Sequence, residues 1–168
     1  MAEKEVKSAM QVLEDAKCLE QQGQAFYSQA AKRIKNPKGK KIFRQLAKDE
    51  VAHEKLIQRE ILNLIKEGYW VELLETQGPA CELAPEIFPL CREGLAKAVN
   101  ADPDDVEAIR TGLDMENKSY DLYRTEAEKA KDPVARQLYE FLASQERDHF
   151  NLLMANYESM VTLGGWSD

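Results

Sequence analysis

The stretch Leu46-Ala47-Lys48-Asp49-Glu50-Val51-Ala52-His53-Glu54-Lys55-Leu56 returns 96 residues later as Leu142-Ala143-Ser144-Gln145-Glu146-Arg147-Asp148-His149-Phe150-Asn151-Leu152. Neither copy contains glycine or proline, and both read as amphipathic helix. Held at the same offset without a gap, the chain also pairs Glu20 with Glu116, Tyr27 with Tyr123, Ala31 with Ala127 and Pro37 with Pro133. Two amphipathic helices can always be aligned on their apolar residues, so the leucine and alanine pairs carry little weight. The polar pairs carry more. The chain has two histidines, they fall on each other, and each has a glutamate three residues earlier. With 20 Glu among 168 residues, both would gain that neighbour by chance about one time in seventy. The repeat unit is therefore one helical hairpin of some 45 residues, present twice and related by a pseudo-two-fold.

Working outward, Asn36-Pro37, Asp102-Pro103 and Asp132-Pro133 each read as a helix N-cap followed by proline at the first helical position, where its missing N–H is no loss. These signals predict four helices, about 5–34, 38–66, 103–130 and 134–161. Val6, Met10, Leu13, Ala16, Glu20, Gly23, Tyr27, Ala30 and Ile34 follow steps of three and four, as do Val106, Ile109, Leu113, Glu116, Tyr120, Tyr123, Ala127 and Ala130. Each apolar stripe is broken by one glutamate, Glu20 or Glu116. Residues 67–101 are different in kind: they hold Pro79, Pro85, Pro89, three glycines, Trp70, Cys81 and Cys91. So long a connection between elements otherwise joined by a few residues is a crossover rather than a tight turn. The expected fold is all-α: a ferritin-like four-helix bundle of two antiparallel hairpins, about 5–66 and 102–161, joined by that crossover within one domain spanning 1–168.

Composition narrows the function. At 168 residues, 43% apolar and 32% charged, the chain has enough apolar content to exclude intrinsic disorder. Its formal charge of −7 argues against a nucleic-acid partner. No run is long and apolar enough for a membrane span, and Met1-Ala2-Glu3-Lys4-Glu5-Val6-Lys7 lacks the apolar segment of a signal peptide, so a cytoplasmic location is expected. Cys18, Cys81 and Cys91 form an odd set without C-x-x-C and read as small apolar filler in a reducing compartment.

Residues three apart share a helix face, so Glu50 and His53 can point at one spot, as can Glu146 and His149. The hairpin turns lie midway between 20 and 50 and between 116 and 146. Antiparallel packing thus brings Glu20 level with Glu50 and His53, and Glu116 level with Glu146 and His149. Four carboxylates and two imidazoles in an apolar core would be badly destabilising unpaired. Two divalent ions would offset the four charges and move the formal −7 to −3. Oxygen and imidazole donors without thiolate favour iron or manganese, and one Glu from each of two helices plus Glu-x-x-His from each of the other two is the donor set of di-iron and di-manganese bundles. Asp49 and Gln145 stand where a zinc-protease helix would carry its extra histidine. Tyr27 and Tyr123 share the ligand face two turns away, placed either to hydrogen-bond the ligands or to pack in the core.

Leu19-Glu20 to Phe26-Tyr27, Lys48-Asp49-Glu50-Val51-Ala52-His53, Met115-Glu116 to Leu122-Tyr123 and Gln145-Glu146-Arg147-Asp148-His149 together resemble the rubrerythrin family of ferritin-like di-iron proteins. The resemblance runs over about residues 6–160. It implies terminal ligands at Glu20 and Glu116, bridging carboxylates at Glu50 and Glu146, and one nitrogen per metal from His53 and His149. It further implies two iron ions, with manganese or a mixed pair as the alternative, and reduction of peroxide or dioxygen. Electrons would come from an external donor such as a rubredoxin-like protein, and the expected assembly is a homodimer. Two departures stand out. Ser119 occupies the position where fuller members carry a further carboxylate, leaving its hydroxyl as a candidate to touch the ligands, and the paired C-x-x-C of a rubredoxin-like domain is absent from the sequence. Iron oxidation for storage in a shell of subunits is the alternative function. A third reading is a bundle whose metals only staple the core, or a partner-binding module using Tyr69, Trp70 and the crossover.

Overall fold

Asn36 and Asp132 each stand before a proline, and each starts a helix. Asn36 Oδ1 accepts from the backbone N–H of Lys38 at 2.8 Å and of Gly39 at 3.3 Å. Asp132 Oδ1 accepts from Val134 at 2.9 Å and Ala135 at 3.2 Å. The same chemistry thus caps the second helix of both hairpins. The structure is a computed structural model that describes residues 3–71, 105–163 and Trp166. In it α1 spans Glu3–Arg33, α2 Pro37–Lys66, α3 Asp105–Lys129 and α4 Pro133–Leu163, and no strand occurs among the described residues. The bounds fall within two residues of the sequence expectation. The Asp102-Pro103 signal, Cys81, Cys91 and the greater part of the crossover lie outside the described residues.

α2 ends where Gly68 takes a φ of 75°, a left-handed conformation that glycine adopts without a Cβ penalty. Its N–H reaches back to the carbonyls of Asn63 at 3.3 Å and Leu64 at 3.2 Å, closing the last turn. Three residues on, the Val71 N–H donates to Glu60 Oε2 at 3.2 Å, fastening the chain against the helix it has just left.

α1 packs along α2, α3 packs along α4, and α1 also touches α3. The buried apolar residues fall into two clusters. One joins Leu13 and Ala16 of α1, Ile57 and Ile61 of α2, Tyr123 and Ala127 of α3, and Leu138 and Leu142 of α4. The other joins Phe26 and Tyr27 of α1, Phe43 and Leu46 of α2, Ile109 and Leu113 of α3, and Leu153 of α4. Each cluster thus takes one half of every helix, so the packed pairs α1–α2, α3–α4 and α1–α3 are antiparallel, while α2 and α3 run in the same direction. The two hairpin turns lie at opposite ends, and the chain leaving α2 must re-enter at the far end. A helix of 30 residues is about 45 Å long, which is why the connection needs its length. This is the ferritin-like bundle.

Trp166 closes one end. Its ring meets Phe43 edge-on at 5.9 Å, and its Nε1 donates to Asp105 Oδ2 at 3.0 Å. It lies over Gly39, where a Cβ would sit 2.4 Å from the ring.

The cysteine expectation needs correction. Cys18 is disulfide-bonded. It is half-buried at the edge of the α1 stripe and not sealed in the core as apolar filler would be. None of the described helices is long and apolar enough to cross a membrane.

Candidate metal centre

Between the two apolar clusters the core turns polar at one level. Glu20 comes from α1, Glu50 and His53 from α2, Glu116 from α3, and Glu146 and His149 from α4. All six are buried, and Glu20 is completely so. Each Glu-x-x-His pair spans one helical turn and faces inward because the apolar residues above and below it in the stripe are anchored in the two clusters. The six side chains singled out by the repeat are thus brought together.

They form two overlapping sets. Glu20, Glu50, His53 and Glu146 each offer one donor atom, all within 4.8 Å of one another, and Glu50, Glu116, Glu146 and His149 do the same. Glu50 and Glu146 belong to both sets. His53 Nδ1 lies 3.2 Å from Glu20 Oε2 and 3.1 Å from Glu146 Oε1. His149 Nδ1 lies 3.4 Å from Glu50 Oε1 and 3.5 Å from Glu116 Oε2. Each histidine therefore meets the Glu-x-x-His glutamate of the other hairpin. The two imidazoles stack, with centroids 5.5 Å apart and planes at 25°.

The tyrosines cross over as well. Tyr27 of the first hairpin donates its hydroxyl to Glu116 Oε1 of the second, and Tyr123 of the second donates to Glu20 Oε1 of the first. Of the two readings the sequence left open, hydrogen bonding to the carboxylates is realised, and both rings are fully buried too. Ser119 is buried beside the centre but directs no hydrogen bond to any of the six.

The electrostatics describe a site short of positive charge. Burial pushes the Glu50 carboxyl well above its ordinary range, and Glu20, Glu146 and Glu116 reinforce the shift. Glu146 is raised in the same way, with His53 opposing. Glu20 is also penalised by burial, yet His53 and the Tyr123 hydroxyl bring it below the usual value. Burial disfavours the His53 cation, but Glu146 and Glu20 hold its pKa up to about 10. Burial and the nearby carboxylates drive both tyrosine hydroxyls well above 10, so they remain donors. Five buried side-chain atoms among the described residues lack a hydrogen-bond partner, and three of them, Glu116 Oε2, Glu146 Oε1 and His149 Nδ1, belong to this centre. Unpartnered acceptors converging in a dry core are what a pair of cations would satisfy. Carboxylate oxygen and imidazole nitrogen are the donors that iron and manganese accept. The residues fit a metal pair.

A cavity of about 50 Å³ borders the centre, lined by Glu50, Glu116 and Glu146 together with Gly23, Tyr27 and Ser119. A Cβ on Gly23 would stand 3.1 Å from the Glu50 carboxyl carbon, so glycine there leaves the carboxylate its room. One residue near the centre escaped the sequence reading. Asp49 Oδ2 lies 3.5 Å from His149 Nε2, on the side of the ring away from the carboxylates. The signal available was its place beside Glu50, which the sequence alone cannot distinguish from a solvated helix position.

The Rubrerythrin family model matches residues 11–157. No curated protein matches the chain at a significant level. Among solved structures, a hypothetical protein from Pyrococcus furiosus is similar, with 24% sequence identity and a TM-score of 0.67, over 92% of this chain and 91% of that one. At that identity the likeness speaks for the fold. The family match covers most of the chain and all six residues of the centre, and the chain belongs to the rubrerythrin family.

Proposed function

We propose that this chain holds two iron ions between Glu20, Glu50, His53 and Glu146 on one side and Glu50, Glu116, Glu146 and His149 on the other, and reduces peroxide or dioxygen with electrons from an external donor. The observation that carries the reading is that two four-residue donor sets share Glu50 and Glu146, so that the same two carboxylates would help to hold both ions. When bound, a ferrous pair supplies two electrons, which with two protons take hydrogen peroxide to two waters, or dioxygen to hydrogen peroxide. The chain's own residues do the rest. Tyr27 and Tyr123 hold Glu116 and Glu20 at fixed angles and remain protonated while doing so. The apolar clusters on either side exclude bulk water. The cavity beside Glu50 has room for one or two molecules of water's size, which favours a small oxidant over an organic substrate.

Stopped-flow oxidation of the ferrous protein tests the proposal. The expected result is a peroxide- or dioxygen-dependent absorbance change faster than that of free Fe(II) in the same buffer. A rate no faster than free Fe(II) with either oxidant overturns it.

A further inference from the structure

The internal repeat makes the two halves of the centre nearly equivalent, so the places where they differ are informative. Behind His149 stands Asp49, with Oδ2 3.5 Å from Nε2. Asp49 is itself held: Gln45, one turn earlier on α2, donates Nε2–H to Asp49 Oδ1 at 2.8 Å. Gln45, Asp49 and His149 thus form a line that enters the centre at His149 Nδ1. At the repeat offset, the positions matching Gln45 and Asp49 are Phe141 and Gln145. Phe141 is 40% exposed and has no group to donate a hydrogen bond, and Gln145 is half-buried and carries no negative charge. The line therefore exists on one side only.

We propose that Asp49 makes the two metal positions unequal: as a positioning residue behind His149, it makes the position at His149 hold its ion more tightly than the one at His53. The inference rests on the metal-centre reading above and goes beyond it. A carboxylate on the far nitrogen of a ligating imidazole fixes the ring's tautomer, so that the near nitrogen carries the free lone pair, fixes its orientation, and raises its basicity. His149 already presents Nδ1 inward, buried and without a hydrogen-bond partner, which is the state such a partner enforces. His53 has no carboxylate at its outer nitrogen among the described residues; its ion-pair contacts, to Glu20 and Glu146, are both through Nδ1.

Titrating the metal-stripped full-length chain with Co(II), followed by visible absorption and calorimetry, reads the two positions without any turnover. The wild-type chain should bind two Co(II) in steps differing by about tenfold or more. Asp49→Asn, which keeps the shape and removes the charge, should weaken the tighter step about 10- to 100-fold and leave the other within about threefold. Gln145→Asp should strengthen the weaker step, a gain that structural damage would not produce. Equal steps in the wild type, an unchanged tighter step in Asp49→Asn, equal weakening of both steps, or no gain in Gln145→Asp each overturns the inference. If Asp49→Asn loses helicity, the gain or its absence in Gln145→Asp decides alone. A wild-type chain that binds fewer than two Co(II) overturns the metal centre itself, a result distinct from two equal steps.

Discussion

Tyr27 and Tyr123 show what one residue does in this core. Each hydroxyl is fully buried and has a carboxylate of the opposite hairpin as its acceptor, so each ties the two repeats together at the level of the centre. A hydrogen bond to a charged acceptor contributes about 1.5–3 kcal/mol, and its loss leaves a carboxylate oxygen in an apolar cage. Tyr123→Phe keeps the ring and removes only that bond. The expected outcome is a loss of about 2 kcal/mol, which for a chain of this length lowers Tm by roughly 4–8 °C. Thermal unfolding followed by circular dichroism measures it, and a Tm within 1 °C or so of wild type would show the bond to be energetically idle. The sequence placed both tyrosines on the ligand face, because a spacing of seven residues returns to the same side of a helix. It left their acceptors undecided, because periodicity along one helix says nothing of how the second hairpin is rotated against the first.

At the scale of the helices, most of what the sequence displayed was local and came through. Asn36 and Asp132 cap α2 and α4 because a short polar side chain before proline has few other uses. The level at which Glu20 meets Glu50 followed from counting residues to the turn. Contacts made by residues beyond the helix ends were not legible. Gly39, in the first turn of α2, looks like a weak helix residue until Trp166, far away in the chain, is seen lying where its Cβ would be. In an open helix position Gly→Ala gains about 1 kcal/mol. Here the added methyl group must displace a rigid indole that is hydrogen-bonded to Asp105, and overpacking of this kind costs about 1–3 kcal/mol. The clash wins. Gly39→Ala is expected to lower stability by about 1 kcal/mol in urea unfolding, and Gly39→Ala combined with Trp166→Ala should show a smaller penalty for the alanine. A stabilised single variant would mean that the Trp166 contact does not constrain the helix.

For the whole molecule, the decisive property is that a ring of acidic and basic groups is closed inside a dry bundle, so metal content, pH and folding are linked. In the metal-stripped chain Glu50 and Glu146 are raised above the ordinary value of 4.5, and His53 is raised from 6.5 to about 10. A group with a raised folded pKa binds its proton more tightly in the folded state. Its stabilisation is complete below the unfolded value and is lost as pH climbs toward the folded one. The two glutamates therefore begin to weaken the stripped fold above about pH 4.5, and His53 adds to this between pH 6.5 and about 10. Glu20, lowered, works the other way and matters only in acid, below 4.5. Bound ions offset the alkaline trend, since they stabilise the charged carboxylates and the neutral imidazole and compete with fewer protons as pH rises. Scanning calorimetry at pH 6 and pH 9 should show the chelated chain less stable at pH 9, the loaded chain little changed, and the gap between them wider at the higher pH. A chelated chain equally stable at both values would mean that Glu50, Glu146 and His53 do not ionise inside the bundle as their burial and mutual contacts require.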